Sequence, residues 1–214
     1  MRAALASGLA PLADLVFPPR CPACGLALAA QAGLCGTCWQ DVQRPETSDD
    51  GVVAATLYGP ISRKLVLAFK HGGRVTLAPL LGRMIAARLP TLEGEWLIVP
   101  VPLHRRRLWR RGYNQSALLA REVARITGHA LAVDALLRRR PTRSLGGLGR
   151  AERARVLAGA IVSHPRAGAL LAGRRIILVD DVLTSGATSE ACRTALLQAG
   201  AREVLVACFA RVID

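Results

Sequence analysis

Apolar positions recur along this chain with two different periods, and the change from one to the other marks its elements. The stretches "WLIVPV" (96–101), "RRIILVD" (174–180) and "EVLVACFA" (203–210) carry near-continuous apolar runs. Runs of this length bounded by turn residues predict strands buried on both faces of a sheet. "VVAATLY" (52–58) predicts another strand. Between them the period lengthens to that of a helix. "SRKLVLAFK" ends at His71, Gly72 and Gly73, residues 75–89 close at Pro90, and "NQSALLAREVARITG" stops at Gly128. A further helix runs from about Thr188 to Ala199, closed by Gly200. Alternation of this kind predicts an α/β fold, a parallel sheet with flanking helices, over 51–214. Ligands of such sheets sit beyond the carboxyl ends of the strands, where "IVPVP" and "ILVDD" deliver their loops.

The first residues follow another plan. Leu5, Leu9, Leu12 and Val16 recur at helical spacing, so an amphipathic N-terminal helix is expected; Asp14 and the cysteines that follow argue against a secretory leader. No run approaches the length of a membrane span, and the expected location is the cytoplasm. "CPACGLALAAQAGLCGTCW" then supplies Cys21, Cys24, Cys35 and Cys38 as two C-x-x-C knuckles. Each knuckle turns two sulfurs toward one point, and two knuckles complete a tetrahedral thiolate site for structural Zn2+. The alternative, two disulfides, needs an oxidising compartment that nothing else in the chain supports. Residues 1–45 are therefore expected to form a helix and zinc ribbon, joined to the α/β domain by the polar "PETSDDG". Cys192 and Cys208 lie in apolar segments and read as buried hydrophobes.

Charge narrows the partners. Lys and Arg number 29 against 15 Asp and Glu, a formal net charge of +14, and Lys64 and Lys70 are the only lysines. Such a field attracts phosphates, whether of nucleic acid or of a small ligand. Neither lysine stands in a P-loop pattern, which excludes an NTPase of that type.

The chemistry concentrates in "ILVDDVLTSGAT" (177–188). Asp180 and Asp181, expected at the strand's end, offer carboxylates to adjacent sugar hydroxyls or to a magnesium-bound ligand. Thr184, Ser185, Gly186, Ala187 and Thr188 then open a helix whose free N–H groups, hydroxyls and dipole suit a phosphate, with Gly186 allowing close backbone approach. Acids for hydroxyls beside a cradle for phosphate describe a ribose 5-phosphate site. The plainer reading of any single residue here is a helix cap or a solvated acid. Upstream, "HRRRLWRRGYNQS" places Arg105, Arg106, Arg107, Arg110 and Arg111 between a strand and a helix. Guanidinium forks suit phosphate oxygens. Five cannot all enter one pocket, and Arg111 beside Gly112 is the preferred one.

The pattern of four apolar residues, Asp-Asp, two apolar residues and Thr-Ser-Gly-Ala-Thr resembles the phosphoribosyl pyrophosphate (PRPP) binding motif of type I phosphoribosyltransferases. With the ribbon, "FKHGGR", "VPVP", "RRGYNQS" and "RAERARVLAGA", nearly the whole chain resembles the ComF family, associated with competence and DNA uptake. The resemblance implies a type I phosphoribosyltransferase-like sheet, with Asp180 and Asp181 as the catalytic acids at the ribose hydroxyls. It further implies Thr184 to Thr188 at the 5-phosphate, Arg111 and Lys70 on the PRPP, and Mg2+ bound with it. Residues 138–155 resemble the hood loop of these enzymes, with Arg143, Arg150 and Arg153 as its candidate residues; the chain departs from the family at Leu145 and Val156. Three functions follow: Mg2+-dependent phosphoribosyl transfer to an unknown acceptor, PRPP sensing without turnover, or a module that binds single-stranded DNA or the DNA-uptake machinery. No histidine has an assigned partner as a general base.

Overall fold

A computed structural model of the chain describes residues 19–29, 33–46, 51–71, 73–140 and 159–213. The expected N-terminal helix and residues 141–155 of the expected hood loop, with Arg143, Leu145, Arg150 and Arg153, lie outside them, as does Val156; the first residue assigned to that loop, Arg138, instead ends a strand, Leu136–Arg138. The chain divides into two compact units, Met1–Val42 and Gln43–Asp214.

In the first unit the knuckle at Cys21 turns through Gly25, whose N–H donates to the Cys21 carbonyl at 2.8 Å. The second knuckle opens helix α1 (Gly36–Gln40), and the Cys35 sulfur caps it by accepting from the Cys38 N–H at 3.5 Å. The chemistry that makes the metal site therefore also makes the local fold.

The second unit holds β1 (Val52–Leu57), α2 (Pro60–His71), a 3-10 turn (Val75–Leu77), α3 (Ala78–Ala86) and β2 (Trp96–Pro100). Then come α4 (Arg105–Arg111), α5 (Gln115–Thr127), β3 (Ala130–Leu131) and β4 (Leu136–Arg138). After the segment left undescribed follow β5 (Ile161–Ser163), α6 (Gly168–Leu171), β6 (Arg175–Leu183), α7 (Ala187–Gln198) and β7 (Glu203–Arg211). Five strands form one parallel sheet in the order β1-β7-β6-β2-β3, and β4 and β5 pair antiparallel beside it as a second sheet.

Side chains alternate across each strand. Leu97, Val99, Ile176, Leu178, Val204 and Val206 share one core with Cys192, Ala195 and Leu196 of α7 and with Leu136, Ile161 and Leu171. Their neighbours Ile98, Ile177, Val179 and Phe209 point the other way and are fully buried. That face is covered by α3 and α5, which touch β1, β2, β6 and β7. Gly82 lets α3 and α5 close on each other, since a Cβ there would stand 2.4 Å from the Glu122 Cβ.

Two differences from the sequence reading bear on function. The arginine-rich segment after β2 is a helix, not a loop: His104 caps it by accepting from the Arg106 N–H at 3.2 Å, and Gly112 ends it with φ of 82°. It buries no residue, so no apolar stripe announced it. Strand β6 also runs past the aspartate pair to Leu183, because β7 keeps pairing with it as far as Arg211. On its other side β2 stops at Pro100, opposite Val179. Asp180 and Asp181 are thus the first residues of β6 that β2 leaves uncovered.

Candidate functional site

That gap lies where the chain reverses its direction of travel across the sheet. From β2 the chain moves outward to β3, and from β6 it moves the opposite way to β7. Parallel sheets bind ligands in the crevice at such a switch point. Here it opens into a cavity of about 550 Å3. Asp180, Asp181 and the whole run Thr184–Thr188 line it, with Lys70, Arg107 and Arg111, as does Arg138 of β4.

Strand alternation sends the two carboxylates to different neighbours. Asp181 pairs with Lys70, whose Nζ lies 3.1 Å from Oδ2, and its charge also acts on Arg111. Asp180 acts on Arg138 and on the buried Cys192 thiol, and the Lys70 charge reaches it as well. Its Oδ1 accepts twice, from the Ser116 hydroxyl at 2.9 Å and from the Asp181 N–H at 2.8 Å. These donors favour the charged carboxylate, but burial first and the charge of Asp181 second outweigh them, and the Asp180 pKa is pushed up to about 7. Burial also lowers the Arg111 pKa from its ordinary value.

The floor of the cavity comes from α5. Asn114 caps that helix by accepting from the Ser116 N–H at 3.1 Å, while its Nδ2 donates to the Val101 carbonyl at 3.0 Å. One side chain thereby fixes the helix start against the end of β2. The next residue, Gln115, is buried; its Oε1 accepts from Arg111 at 2.6 Å while its Nε2 has no protein partner. The Tyr113 hydroxyl donates to the Phe69 carbonyl and ties α2, which carries Lys70, to the same corner.

The opposite wall is the turn into α7. Gly186 stands at φ of 74°, a left-handed conformation costly for residues with a Cβ, and its carbonyl accepts from the Glu190 N–H at 2.8 Å. The first-turn N–H groups of α7 therefore face the cavity with the helix dipole behind them. Ser189 is buried on this wall with its hydroxyl unpartnered.

The sequence candidates thus divide. Lys70, Arg111, Asp180, Asp181, Thr184, Ser185, Gly186, Ala187 and Thr188 meet at one cavity. Of the five arginines of α4, Arg107 and Arg111 line it, while Arg105, Arg106 and Arg110 face elsewhere. Sequence reasoning missed Asn114, Gln115, Ser116, Arg138 and Ser189. Ser116 and Asn114 sat inside a helix-start signal that explained them fully. Arg138 stood only as the first residue of the expected hood loop, in an arginine run, and the structure places it at the end of β4. His104 serves as a helix cap, and burial together with Arg106, Arg138 and other arginines lowers its pKa.

The four cysteines Cys21, Cys24, Cys35 and Cys38 form the metal-type cluster of the ribbon, with all four sulfurs within 4.8 Å of one another. Cys24 and Cys35 lie 3.6 Å apart, close to the roughly 3.8 Å between sulfurs bound tetrahedrally at 2.3 Å from zinc. At Cys21, burial is outweighed by N–H groups of Cys35, Cys24 and Ala23, and its pKa falls to about 6. Burial and the neighbouring cysteines push the Cys38 thiol up instead, so the four sulfurs do not ionise alike without a metal; their number and spacing fit structural zinc.

Residues 12–48 match the family model of the double zinc ribbon domain. The DNA utilization protein YhgH of Escherichia coli (strain K12) is 34% identical over 199 residues, which make up 90% of this chain and 84% of that protein. Competence protein F of Haemophilus influenzae is 31% identical over 194 residues, 88% of this chain and 82% of that one. Among solved structures, the glutamine PRPP amidotransferase of B. subtilis complexed with ADP and GMP aligns at a TM-score of 0.45 and 20% identity, over 66% of this chain and 30% of that chain. A hypoxanthine phosphoribosyltransferase from Staphylococcus aureus aligns at 0.37 and 12%, over 65% and 73%. At those values the neighbours carry no weight for the site.

Proposed function

The chain belongs to the ComF family of competence proteins, and we propose that its cavity binds PRPP with Mg2+ and transfers the phosphoribosyl group to an acceptor nucleophile in a process linked to DNA uptake. One observation carries this reading: two carboxylates and a phosphate-type helix start share a cavity that also holds Lys70, Arg107, Arg111 and Arg138. Four cations against two carboxylates leave the cavity with an excess of two positive charges, so it calls for a ligand with several anionic groups.

In this reading the α7 turn takes the 5-phosphate through backbone N–H groups and the Thr184, Ser185 and Thr188 hydroxyls. Asp180 and Asp181 accept from the ribose hydroxyls, and Lys70 must turn from Asp181 toward the ligand. Arg111, with Arg107, takes the pyrophosphate. Hard carboxylate oxygens suit Mg2+, which neutralises charge on the departing pyrophosphate when bound; Asp180 and Asp181 are the residues to hold it. The acceptor's lone pair forms the new bond to the anomeric carbon as the carbon–oxygen bond to pyrophosphate breaks. Fixed cations stabilise the charge that leaves, and no covalent nucleophile of the protein is needed. Thiolate ligands in the ribbon fit a reducing compartment, and the cytoplasm is the place assigned. Among the described residues no helix is long and apolar enough to cross a membrane.

Thermal unfolding of the zinc-loaded protein with Mg2+ and PRPP tests this directly. At about a hundred times the dissociation constant the ligand stabilises by about 2.7 kcal/mol, a rise of about 5 to 10 °C in Tm for a chain of this size. The Asp180→Asn, Asp181→Asn double variant should show no rise. Pyrophosphate release then separates transfer from binding without turnover, and a wild type whose Tm ignores PRPP would refute the reading.

A further inference from the structure

Helix α4 presents a second face that the cavity does not use. At about 100° per residue, Arg105, Trp109, Arg106 and Arg110 fall on one arc of the helix, and Arg107 and Arg111 on the opposite one. The second pair lines the cavity; the first four line a separate shallow recess on the outside. Trp109 is 90% exposed, far beyond Trp96, which is buried beneath the Arg175 guanidinium, and Trp39, which is 41% exposed. Packing does not explain an indole in water on a helix that buries nothing. Nor do ion pairs, since none of those found among the described residues uses Arg105, Arg106 or Arg110.

We propose that this outer face binds single-stranded nucleic acid, with Trp109 stacking on an unpaired base and Arg105, Arg106 and Arg110 holding the flanking phosphates. The chemistry selects the partner. An exposed aromatic plane bordered by guanidinium forks matches a base between phosphates, and stacking accepts any base because each has a π-face. A lipid surface calls for a broad apolar face, whereas "RRRLWRR" offers only Leu108 and Trp109. The net charge of +14 supplies the attraction that brings a polyanion to this face. The proposal stands on the outer face alone and survives if the cavity proves not to bind PRPP.

The experiment is titration of the zinc-loaded full chain with a dT15 oligonucleotide, read by tryptophan fluorescence and by anisotropy of the labelled strand. Quenching is expected, with a preference for the single strand over a duplex of equal length. Trp109→Ala should weaken binding by roughly five- to hundredfold, the range of one lost stacking contact. Trp109→Phe should keep most of the affinity and lose most of the quench. The double variant Arg106→Ala, Arg110→Ala should flatten the slope of log affinity against log salt by about 1.4. Saturating PRPP should leave the strand bound, since Arg107 and Arg111 serve the other face. The assignment is overturned if Trp109→Ala binds dT15 as the wild type does, if PRPP displaces the strand, or if vesicles of anionic phospholipid or a poly-glutamate peptide bind this face more tightly than dT15.

Discussion

Asp180 has a carboxyl that is hard to ionise in a place where the proposed ligand needs it ionised. Its usual pKa of 3.8 rises to about 7 in the fold, so the folded chain keeps this proton longer than the unfolded one. Stability must therefore fall as pH climbs from about 4 to about 7, and level off above. Thermal midpoints measured across pH 5 to 8 should show that decline in the wild type and lose it in Asp180→Asn. Ligand binding runs the other way. Ribose hydroxyls donate to the charged form, so PRPP affinity should rise by up to tenfold per pH unit below 7 and flatten near 8. Ser116→Ala removes a donor to the charged form, and the inflection should move to higher pH. The pair of aspartates was legible in the sequence because strand, acids and turn are contiguous. Their protonation was not, because the burial, Ser116 and Lys70 arrive from segments far along the chain.

Helices α5 and α7 were legible almost to the residue, since an apolar stripe and a glycine stop define each. Helix α4 was not, because it has no buried side and its arginines carry no period. What α5 needs beyond its stripe is the cap. Asn114→Ala should cost about 1 kcal/mol, within a range of about 0.5–2, through the lost bond to the Ser116 N–H. It should also weaken PRPP binding, since the same side chain ties the helix to Val101. Where α3 meets α5, Gly82→Ala would set a methyl against the Glu122 Cβ. Overpacking costs about 1–3 kcal/mol, against about 1 kcal/mol gained in helix propensity. Chemical denaturation should show a net loss of up to about 2 kcal/mol.

For the whole molecule, two compact units imply two separable stabilities. The ribbon depends on thiolate–metal bonds, and acid or a chelator should release one zinc per chain as its cysteines protonate or lose the ion. The α/β unit keeps its sheet core. The Tm rise with PRPP should therefore persist after chelation, and its loss would mean that the ribbon supports the cavity. The linear order of residues determined the elements and two local chemistries, the C-x-x-C knuckles and the Asp-Asp-to-Thr turn. Each is complete within a few residues, and short-range sterics and hydrogen bonding decide such segments. Tertiary structure alone decided which charges meet. Pairing of β6 with β7 beyond the end of β2 uncovers the aspartates. The connection from β1 to β2 brings Lys70 to them, the connection from β2 to β3 brings Ser116 and one face of α4, and β4 brings Arg138, while the other face of α4 turns to solvent. Those meetings follow from strand order and helix facing, which depend on burying both sides of the sheet at once and leave no mark at any single position.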